Sequence, residues 1–509
     1  MSGRRPARPG RPRRIVVVGG DAAGMSAAHT ALRAARAAEE PVEITVLEAT
    51  AHTSYSACGL PYWIAGEVDS GDDLVARTPE QHRAAGLDLR LGTRATRLDL
   101  VHRRLEATDL ASGTADELAY DELVLATGAV PVVPAWGVAD GRPVRGVRSV
   151  RNLDDGAAWL DLLAGRAPAP AAAGRDAGQD AGQDAGAASA GAPGAGRVVV
   201  PGEGRRPERA VVVGGGYIGV EMAEALLRRG LAVALVTRGR VLGGLEPAQS
   251  ARVEDGLRAA GVTLHCGSTV EHLHTRGDGH VSAAVLDDGT VIGADVVVLA
   301  AGVRPGSDLG RAAGIPLGAR GGYLPDAGGR IGPGLWAAGD CCEVQHRLTG
   351  ERVFAPLGTH ANKLGRIVGD NLLGADKRFG GALGTAITRF SFGEVHLEIG
   401  ITGLSSAAAA EAGHDPVDLV TEGTTASGYL PEADPIATSV VADRATRRLL
   451  GVQVVGGRGA GKRVDAAAAA LWGSLTVDDL AGMDISYAPP FATVWDALQI
   501  AARRLADRF

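Results

Sequence analysis

The chain of 509 residues has a formal net charge of −7 at pH 7, and 22% of its residues are charged. This length predicts about two to four domains, and the negative charge argues against a general nucleic-acid binder. No apolar run approaches the roughly 18 residues of a membrane-spanning helix, so no membrane partner is expected. The four cysteines indicate a reducing, cytoplasmic location without a disulfide framework.

The chain begins with a basic, proline-containing stretch, residues 1–13, which we expect to be a disordered tail. A buried strand follows from Arg14 and runs into a glycine turn, and the next segment, Met25–Glu40, favours a helix. The segment Val42–Glu48 is predicted as the second strand. Together these elements form a β-α-β unit of the kind that binds a dinucleotide.

The glycine turn of this unit departs from a strict GxGxxG pattern but keeps its physical properties. Gly19 permits the tight turn, small residues let the backbone approach a pyrophosphate, and Gly24 permits close packing of helix on strand. Glu48 ends the second strand, where a carboxylate can accept hydrogen bonds from a ribose. The predicted cofactor contacts of this unit are Gly19, Gly20, Ala22, Ala23, Gly24, Glu48 and Ala49.

Cys58 lies ten residues past Glu48, in the run Ser54–Ile64. A thiol at this position would lie beside the cofactor of the β-α-β unit. No second cysteine stands within five residues of it, so the usual CxxC or CxxxxC redox pair is absent. If Cys58 does redox chemistry, it must cycle through something other than a local disulfide.

Residues 164–206 form an insert rich in Ala, Gly, Asp and Gln, which we expect to be disordered because it has little apolar surface to bury. Beyond it the β-α-β pattern recurs, with a strand from Arg209, a helix over Val220–Gly230 and a strand over Ala232–Thr237. Two such units predict two dinucleotide-binding domains. Strand-like runs such as Leu449–Val455 and a helix from Val494 to about Asp507 are expected in a third region.

The second glycine turn matches GxGxxG at Gly214, Gly216 and Gly219. The acid that would select NADH at the next strand end is missing, and Arg238 and Arg240 stand there instead. Arginine suits a 2′-phosphate, so we favour NADPH, with NADH as the alternative if these side chains are merely solvated. The predicted contacts here are Gly214, Gly216, Ile218, Gly219, Glu221, Arg238 and Arg240.

Further strand-end motifs support the first cofactor site, and the predicted contacts in them are Thr127, Gly128, Gly339 and Asp340. Gly302 is a further predicted cofactor contact. Asp340 is predicted to hold a polyol hydroxyl, with the N-terminus of a following helix facing a flavin edge. The alternative is that Asp340 simply caps that helix.

Three other cysteines compete with Cys58. Cys266 follows a strand-like run and is predicted to be a core thiol. Cys341 and Cys342 could form a vicinal redox pair, but two packed thiols at a helix start are favoured. No His, Cys or Asp cluster has metal-ligand spacing, so no metal is predicted.

These motifs together resemble the flavin-dependent pyridine nucleotide-disulfide oxidoreductases, in their single-cysteine branch, and most nearly the coenzyme A-disulfide reductases. The most specific pieces are Ser54–Ile64, Arg77–Glu80, Ala338–Asp340, Pro356–Asn362 and Tyr487–Phe491. The resemblance covers nearly the whole chain outside the tail and the insert.

The resemblance implies an α/β fold with two Rossmann-like domains, for FAD and NAD(P)H, and an α+β C-terminal dimerisation domain. The FAD-binding domain is then expected at 14–160 and 295–350, the NAD(P)H-binding domain at 207–294 and the dimerisation domain at 351–509. The partner chain of the implied homodimer would contribute to the active site.

The resemblance also implies roles for individual residues. Electrons would pass from NAD(P)H through the flavin to Cys58, which would rest as a mixed disulfide with coenzyme A and attack as a thiolate of low pKa. Tyr487, and with it Tyr429, would reach the partner's reacting sulfur; packing in a dimer core is the alternative for both. The substrate contacts carried over are Ser26, Thr30, Arg33, Ser54 and Asn362, whereas Ala57 and Trp495 depart from the contacts expected for coenzyme A.

The leading hypothesis is reduction of a small disulfide, most of all coenzyme A disulfide or a related persulfide or polysulfide. The first alternative is an NAD(P)H oxidase or peroxidase that cycles Cys58 through a sulfenic acid. That branch carries a histidine in the first glycine turn, whereas here His29 lies further along the helix. The second alternative is a flavoprotein redox partner or sensor. We expect no added rhodanese-type domain, because the chain stops at Phe509.

Overall fold

The structure is a computed structural model that describes residues 11–139, 141–166 and 206–509. Most of the predicted tail and of the predicted insert lies outside these residues, so those two expectations concern parts of the chain that are not described. The end of the tail is an exception. Arg13 already begins the first strand and is 6% exposed, so this strand starts one residue before the predicted Arg14.

The described residues contain both helices and strands in the alternation expected for an α/β protein. The helices are α1 (Ala22–Ala37), α2 (Leu60–Ala65), α3 (Pro79–Ala84), α4 (Leu153–Leu163), α5 (Tyr217–Arg228), α6 (Pro247–Ala259), α7 (Asp308–Ala312), α8 (Gly358–Leu372), α9 (Ser406–Glu411), α10 (Val464–Trp472), α11 (Val477–Gly482) and α12 (Ala497–Ala506). The strands are β1 (Arg13–Val18), β2 (Val42–Leu47), β3 (Asp88–Arg90), β4 (Thr93–Asp99), β5 (Arg104–Asp109), β6 (Ala115–Ala119), β7 (Glu122–Leu125), β8 (Ala129–Pro131), β9 (Val138–Ala139), β10 (Arg142–Pro143), β11 (Val147–Arg148), β12 (Arg209–Val213), β13 (Ala232–Thr237), β14 (Thr263–Cys266), β15 (Val270–Thr275), β16 (Val281–Leu286), β17 (Val291–Gly293), β18 (Val296–Leu299), β19 (Val303–Pro305), β20 (Arg330–Gly332), β21 (Leu335–Ala337), β22 (Val344–Gln345), β23 (Arg352–Val353), β24 (Ala386–Phe392), β25 (Val395–Gly403), β26 (Pro416–Thr424), β27 (Pro435–Asp443) and β28 (Leu449–Gly456).

The first large sheet has six strands in the order β20-β21-β7-β1-β2-β3. Its central strand β1 runs parallel to both β2 and β7, so the first glycine turn lies at the carboxyl ends of these strands. Helix α1 packs closely against α8, because Gly365 and Gly369 face its backbone. A Cβ at Gly365 would lie 2.3 Å from the carbonyl oxygen of Ala23, so the close crossing requires glycine there.

The second large sheet has five parallel strands in the order β11-β18-β12-β13-β14. Two of its parts come from ranges that we predicted for the FAD-binding domain. Strand β18 pairs with β12, and β11 pairs with β18, so the second domain extends past 294 to Leu299. It also takes in β11 and α4, whose Trp159 is fully buried in the core of this sheet. The boundaries move because parallel pairing joins segments that are distant in the chain.

The third large sheet is antiparallel, in the order β24-β25-β28-β27-β26, and is covered by α10 and α12. We predicted this domain to begin at 351, but α8 packs on α1 of the first domain, so the third domain begins near β24. The α/β fold with a C-terminal α+β domain is confirmed.

Several predicted helix bounds are also corrected. Helices α1 and α5 each begin three residues earlier than predicted, because the last residues of each glycine turn already belong to the first helical turn. The last helix begins at Ala497, where Asp496 caps it. No helix follows Asp340; the chain turns there and enters β22.

Candidate active site

In the first glycine turn, two glycines stand where the neighbouring backbone leaves no space for a side chain. Gly19 has φ of 107°, and a Cβ on it would lie 2.1 Å from the carbonyl oxygen of Ala126. A Cβ on Gly24 would lie 1.8 Å from the carbonyl oxygen of Gly19. These positions require glycine, and the backbone they create is open to a pyrophosphate at the start of α1.

Glu48 organises this turn from the end of β2. Its Oε2 accepts a hydrogen bond from the Gly20 amide at 2.8 Å, and its Oε1 accepts from the Thr50 amide at 2.8 Å. Thr53, 2% exposed, donates its hydroxyl to the Gly20 carbonyl. Thr50 and Thr53 were missed by the sequence reasoning, because nothing in a threonine after a strand signals such a bond.

Asp21 and Asp340 add two carboxylates to the same cradle. Burial, and then the charge of Glu48, raises the pKa of Asp21 to about 6, and burial raises the pKa of Asp340 to about 6. The Oδ1 atom of Asp340 is buried without a hydrogen-bond partner in the described chain. A buried acceptor of this kind is satisfied by a ligand hydroxyl, so the residues present fit the polyol chain of FAD. Asp21 was also missed, although it lies inside the recognised turn.

Thr127 and Gly128, which follow β7 of the first sheet, are hydrogen-bonded to the segment after β19. The hydroxyl of Thr127 donates to the carbonyl of Gly306, whose amide donates back to the carbonyl of Gly128 at 2.8 Å. Gly302 has φ of 105° with open space around its Cβ position, so backbone conformation alone favours glycine there.

The second glycine turn repeats the geometry of the first. Gly214 has φ of 120°, and a Cβ on it would lie 2.0 Å from the carbonyl oxygen of Ala300. A Cβ on Gly219 would lie 2.0 Å from the carbonyl oxygen of Gly214. Gly216 faces open space, and Ile218 is 40% exposed, so this turn is also accessible to a pyrophosphate.

The two arginines after β13 have different environments. Arg240 donates from Nε and Nη2 to the two carboxylate oxygens of Glu254, at 3.2 and 3.0 Å. Glu254 is only 4% exposed and also accepts from the Val241 amide. Arg238 is exposed and forms no hydrogen bond or ion pair within the described residues. Of the two, Arg238 is the guanidinium that is free to meet a phosphate.

Cys58 lies in a single 3₁₀ turn, Ala57–Gly59, directly before α2, and it is exposed. Desolvation by its surroundings raises the pKa of this thiol, and the negative charges of Glu221 and Asp340 raise it further. The expected low pKa is therefore not produced by the described residues of one chain. Of the carboxylates that act on Cys58, Glu221 belongs to the second domain and Asp340 and Asp21 to the first, so the thiol lies at the junction of the two domains.

Glu221, predicted to contact the coenzyme, projects from α5 toward this junction. Burial raises its pKa to about 7, although the hydroxyl of Thr388 donates to its Oε1 at 2.9 Å. Its charge also acts on Tyr62 and Tyr217. Those two tyrosines were not predicted, and the only sequence signal for Tyr62 is its place in the Cys58 run.

The two predicted catalytic tyrosines lie on the surface of the third domain. Tyr487 is 47% exposed and Tyr429 is 75% exposed, and neither forms a hydrogen bond to Cys58 within the described chain. Phe491 and Val494, close to Tyr487 in the chain, are 74% and 70% exposed. Such exposed apolar side chains are typical of a surface that another chain covers.

The predicted substrate contacts differ in their partners and in their exposure to solvent. Ser26 donates to Asn362 Oδ1 at 2.9 Å, so α1 and α8 bring these two residues together. Arg33 is exposed and donates to Thr30 Oγ1 at 3.2 Å. Thr30 itself is 4% exposed and packs under α8, so it supports Arg33 and is not open to a substrate. Ser54 has φ of 49° and pairs through its carbonyl with the Ala76 amide.

The remaining cysteines differ from Cys58. Cys266 is exposed at the end of β14, so the prediction of a core thiol is wrong. The reason is that β14 is the edge strand of its sheet. Cys341 and Cys342 are 0% and 3% exposed, with their sulfur atoms 3.8 Å apart. They are free, packed thiols in a turn.

Within residues 11–139, 141–166 and 206–509, no three metal-ligating side chains come together. In the same ranges, no helix combines the length and apolarity needed to cross a membrane.

Comparison with protein families gives two matches along the chain. The profile described as "Pyridine nucleotide-disulphide oxidoreductase" matches residues 13–353. The profile of the dimerisation domain of the same enzymes matches residues 391–498. The first match alone covers more than half of the chain.

Individual relatives align over nearly their whole length. The chain is 34% identical over 497 residues to an NAD(P)H sulfur oxidoreductase (CoA-dependent) of Pyrococcus abyssi, covering 96% of this chain and 98% of the relative. It is 30% identical to an NADH oxidase of Methanocaldococcus jannaschii, covering 96% and 98%. It superposes on an NAD-dependent persulfide reductase from A. fulgidus with a TM-score of 0.83 and 30% identity, covering 97% of this chain and 83% of that one.

Proposed function

The chain belongs to the pyridine nucleotide-disulphide oxidoreductase family, and we propose that it reduces a small disulfide, persulfide or polysulfide carried by coenzyme A. It is an FAD-dependent enzyme that takes its electrons from NAD(P)H. The observation that carries the proposal is the position of Cys58, which lies between two dinucleotide sites with no second cysteine beside it.

The relatives support a sulfur substrate. One is named as a CoA-dependent sulfur oxidoreductase and another as a persulfide reductase. A lone thiol needs its second sulfur from outside the chain, and a small thiol such as coenzyme A provides it. The overall reaction balances as NAD(P)H, a proton and a disulfide giving NAD(P)⁺ and two thiols.

The residues of the first domain fit FAD, which when bound supplies a two-electron relay between NAD(P)H and the thiol. The amides in the first turn of α1 would face the pyrophosphate, Glu48 would receive the ribose, and the unpartnered Oδ1 of Asp340 would accept a polyol hydroxyl. The second turn, at Gly214, orients the nicotinamide coenzyme. Arg238 would meet the 2′-phosphate of NADPH, so we expect NADPH to be the preferred coenzyme.

Cys58 must lose its proton before it attacks a substrate sulfur, because the thiolate is the nucleophile. Glu221 and Asp340 oppose this within one chain, since their charges raise the thiol pKa. A homodimer resolves the conflict if the exposed Tyr487 and Tyr429 of the partner chain donate hydrogen bonds to the sulfur. The matching dimerisation profile and the exposed apolar surface around Phe491 support this arrangement.

An NAD(P)H oxidase that cycles a sulfenic acid is the second candidate, because an NADH oxidase is among the relatives. The first glycine turn favours the sulfur reductase. Asp21 occupies it, and His29 is directed toward α3, where it bonds to His82.

Mass spectrometry of the untreated protein tests the proposal. We expect a coenzyme A adduct on Cys58 that reductant removes. A sulfenic acid at Cys58, together with rapid oxygen-dependent NAD(P)H consumption, would replace the proposal with the oxidase. A cytoplasmic location, consistent with four free cysteines, is tested by cell fractionation.

A further inference from the structure

The two glycine turns differ at the position where the backbone approaches a pyrophosphate. In the second turn this middle position of the GxGxxG pattern is Gly216, which has open space at its Cβ. In the first turn the same position is Asp21. Because the middle glycine normally allows close approach to the pyrophosphate, Asp21 places a carboxylate where the cofactor carries its own negative charge.

Asp21 is the N-terminal cap residue of α1, but its side chain does not cap the helix. Its backbone is extended, with φ of −119° and ψ of −151°, and its carboxylate accepts no capping hydrogen bond. The amides that face this carboxylate are those of Tyr55, in the loop before Cys58, and of Ala22, the first residue of α1. The later amides of the first helical turn therefore stay open to an anionic ligand.

Three carboxylates surround the turn without a cation to balance them. Glu48, which follows β2, and Asp340, which lies beyond β21, both act on the carboxylate of Asp21. Within the described residues, none of the three forms an ion pair with an arginine, lysine or histidine. Each phosphate of the FAD pyrophosphate adds a further negative charge. Like charges this close favour the protonation of one carboxyl group.

The hydrogen-bond partners of the three groups differ, and they indicate which group is protonated. Glu48 accepts from the Gly20 amide and from the amide and hydroxyl of Thr50, and such donors favour a carboxylate. Asp340 fits a polyol hydroxyl, which also donates. A pyrophosphate oxygen only accepts, so the group beside it must donate a proton to form a hydrogen bond. Asp21 is the group at that position.

The charges around Asp21 agree with this assignment. Burial, and then the negative charge of Glu48, raises the pKa of Asp21 to about 6, and a neighbouring pyrophosphate raises it further. From the loop before α2, Tyr55 and Cys58 also face Asp21, and both are neutral or negative. The charged groups that act on Tyr55 in turn are Asp21, Glu48, Arg151 and Asp155.

We propose that Asp21 takes up a proton from solvent when FAD binds and, as a neutral carboxylic acid, donates a hydrogen bond to a pyrophosphate oxygen. Asp21 thereby makes FAD retention depend on pH, and the cofactor is held more tightly at pH 6 than at pH 8. The inference concerns the cofactor alone and does not depend on which disulfide the enzyme reduces.

Release of FAD on dilution of the FAD-loaded protein, followed by flavin fluorescence, tests this inference. Below about pH 6 Asp21 is protonated with and without FAD, so the Kd is constant there. Above it, the Kd of the wild type should rise about tenfold for each pH unit, until Asp21 ionises in the FAD-bound protein too.

Two substitutions of Asp21 separate its proton from its hydrogen bond. Asp21→Asn keeps a donor without a charge, so its Kd should match the wild type near pH 6 and change by less than about twofold up to pH 8. Asp21→Ala lacks the donor, so it should bind FAD about tenfold more weakly near pH 6, again without a pH dependence.

Two other carboxylates serve as controls. Asp340→Asn removes the neighbouring group of raised pKa; it should weaken FAD binding and keep the pH dependence. Asp376→Asn changes a side chain that is 88% exposed and should alter neither.

Infrared spectra of the FAD-loaded proteins give a second readout, which needs no turnover and no FAD-free protein. The carbonyl stretch of a protonated carboxylic acid should appear in the wild type at pH 7, persist in Asp340→Asn and disappear in Asp21→Asn. A wild-type Kd that does not change with pH, or a pH dependence that Asp340→Asn removes and Asp21→Asn keeps, would overturn the inference. The absence of the infrared band from the wild type would do so as well, even if neither Asp21 variant could be purified.

Discussion

The two glycine turns have the same backbone geometry but different chemistry at the end of the neighbouring strand. Gly19 and Gly214 each donate their amide to the second strand of their unit at 2.8 Å. A Cβ on either would crowd the carbonyl directly after another strand of the same sheet, that of Ala126 after β7 or that of Ala300 after β18. After the second strand the first domain places Glu48, whereas the second places Thr237. The shared geometry fits a pyrophosphate in both sites, and the differing residue sets what each site accepts at the ribose.

The two domains also act on Cys58 in the same way, each through a partly buried carboxylate. Asp340 of the first domain and Glu221 of the second both raise the thiol pKa. The two domains therefore differ in the residue at the end of the second strand, which selects the cofactor. They are alike in that a carboxylate of each acts on the sulfur of Cys58.

The largest expected effect comes from the same substitution in each turn. Gly19→Ala places a Cβ 2.1 Å from a carbonyl oxygen, and Gly214→Ala places one 2.0 Å away, at φ values that alanine rarely adopts. We expect Gly19→Ala to abolish FAD retention, and Gly214→Ala to keep FAD but lose reduction by NAD(P)H.

Flavin absorbance of the purified proteins and stopped-flow reduction measure these two losses. Gly277→Ala, in the exposed turn between β15 and β16 and outside both glycine turns, is the matched control, because its Cβ would meet open space. If Gly214→Ala lost FAD as well, the two turns would not be independent sites.

The next effect concerns the residue that distinguishes the turns. Arg238→Gln should lower kcat/KM for NADPH about 10- to 100-fold, the loss of a charge-assisted phosphate contact, and leave NADH nearly unchanged. Thr237→Glu should raise the NADH to NADPH ratio further, because it copies the carboxylate of the first domain. A strong NADH preference of the wild type would contradict this assignment.

A third prediction concerns the carboxylate of the first domain. The folded-state pKa of Asp340 is raised to about 6, so ionising this buried group destabilises the fold as pH rises from about 4 to 6. Asp340→Asn should therefore stabilise the FAD-free protein by about 1–2 kcal/mol at pH 7 and have little effect at pH 4.

Urea unfolding at the two pH values measures this difference. The same variant should bind FAD more weakly if Asp340 holds a ligand hydroxyl. A stability change that is equal at both pH values would show that the charge of Asp340 is not the cause.

The smallest expected effect separates the two arginines. Arg240 is held by Glu254, so Arg240→Gln should change the NADPH to NADH ratio by no more than about threefold, in contrast to Arg238→Gln. Parallel kcat/KM measurements for both coenzymes decide this. Equal effects of the two substitutions would show that Glu254 does not withhold Arg240 from the coenzyme.

Local backbone requirements made much of the molecule predictable. A glycine turn after a strand needs small residues at fixed spacings, so the contacts at Gly19 and Gly214 could be read from the chain alone. The role of Asp340 as a cofactor contact was predicted from its strand-end motif and stays a prediction. The residues around Asp340 do not reveal that no helix follows it. The chain turns into β22 there because the Glu343 amide donates to the carbonyl of Tyr323, which lies about twenty residues earlier.

The sequence by itself determined the two nucleotide units, the lone Cys58 and the family to which the chain belongs, because these depend on residues close together in the chain. Only the tertiary structure decided the place of β18 in the second sheet, the exposure of Cys266 and the pairing of Arg240 with Glu254. It also decided that His29 meets His82 across 53 positions, and that carboxylates of both domains act on Cys58. Such contacts join distant segments, and a pattern of nearby residues carries no information about which segments will meet.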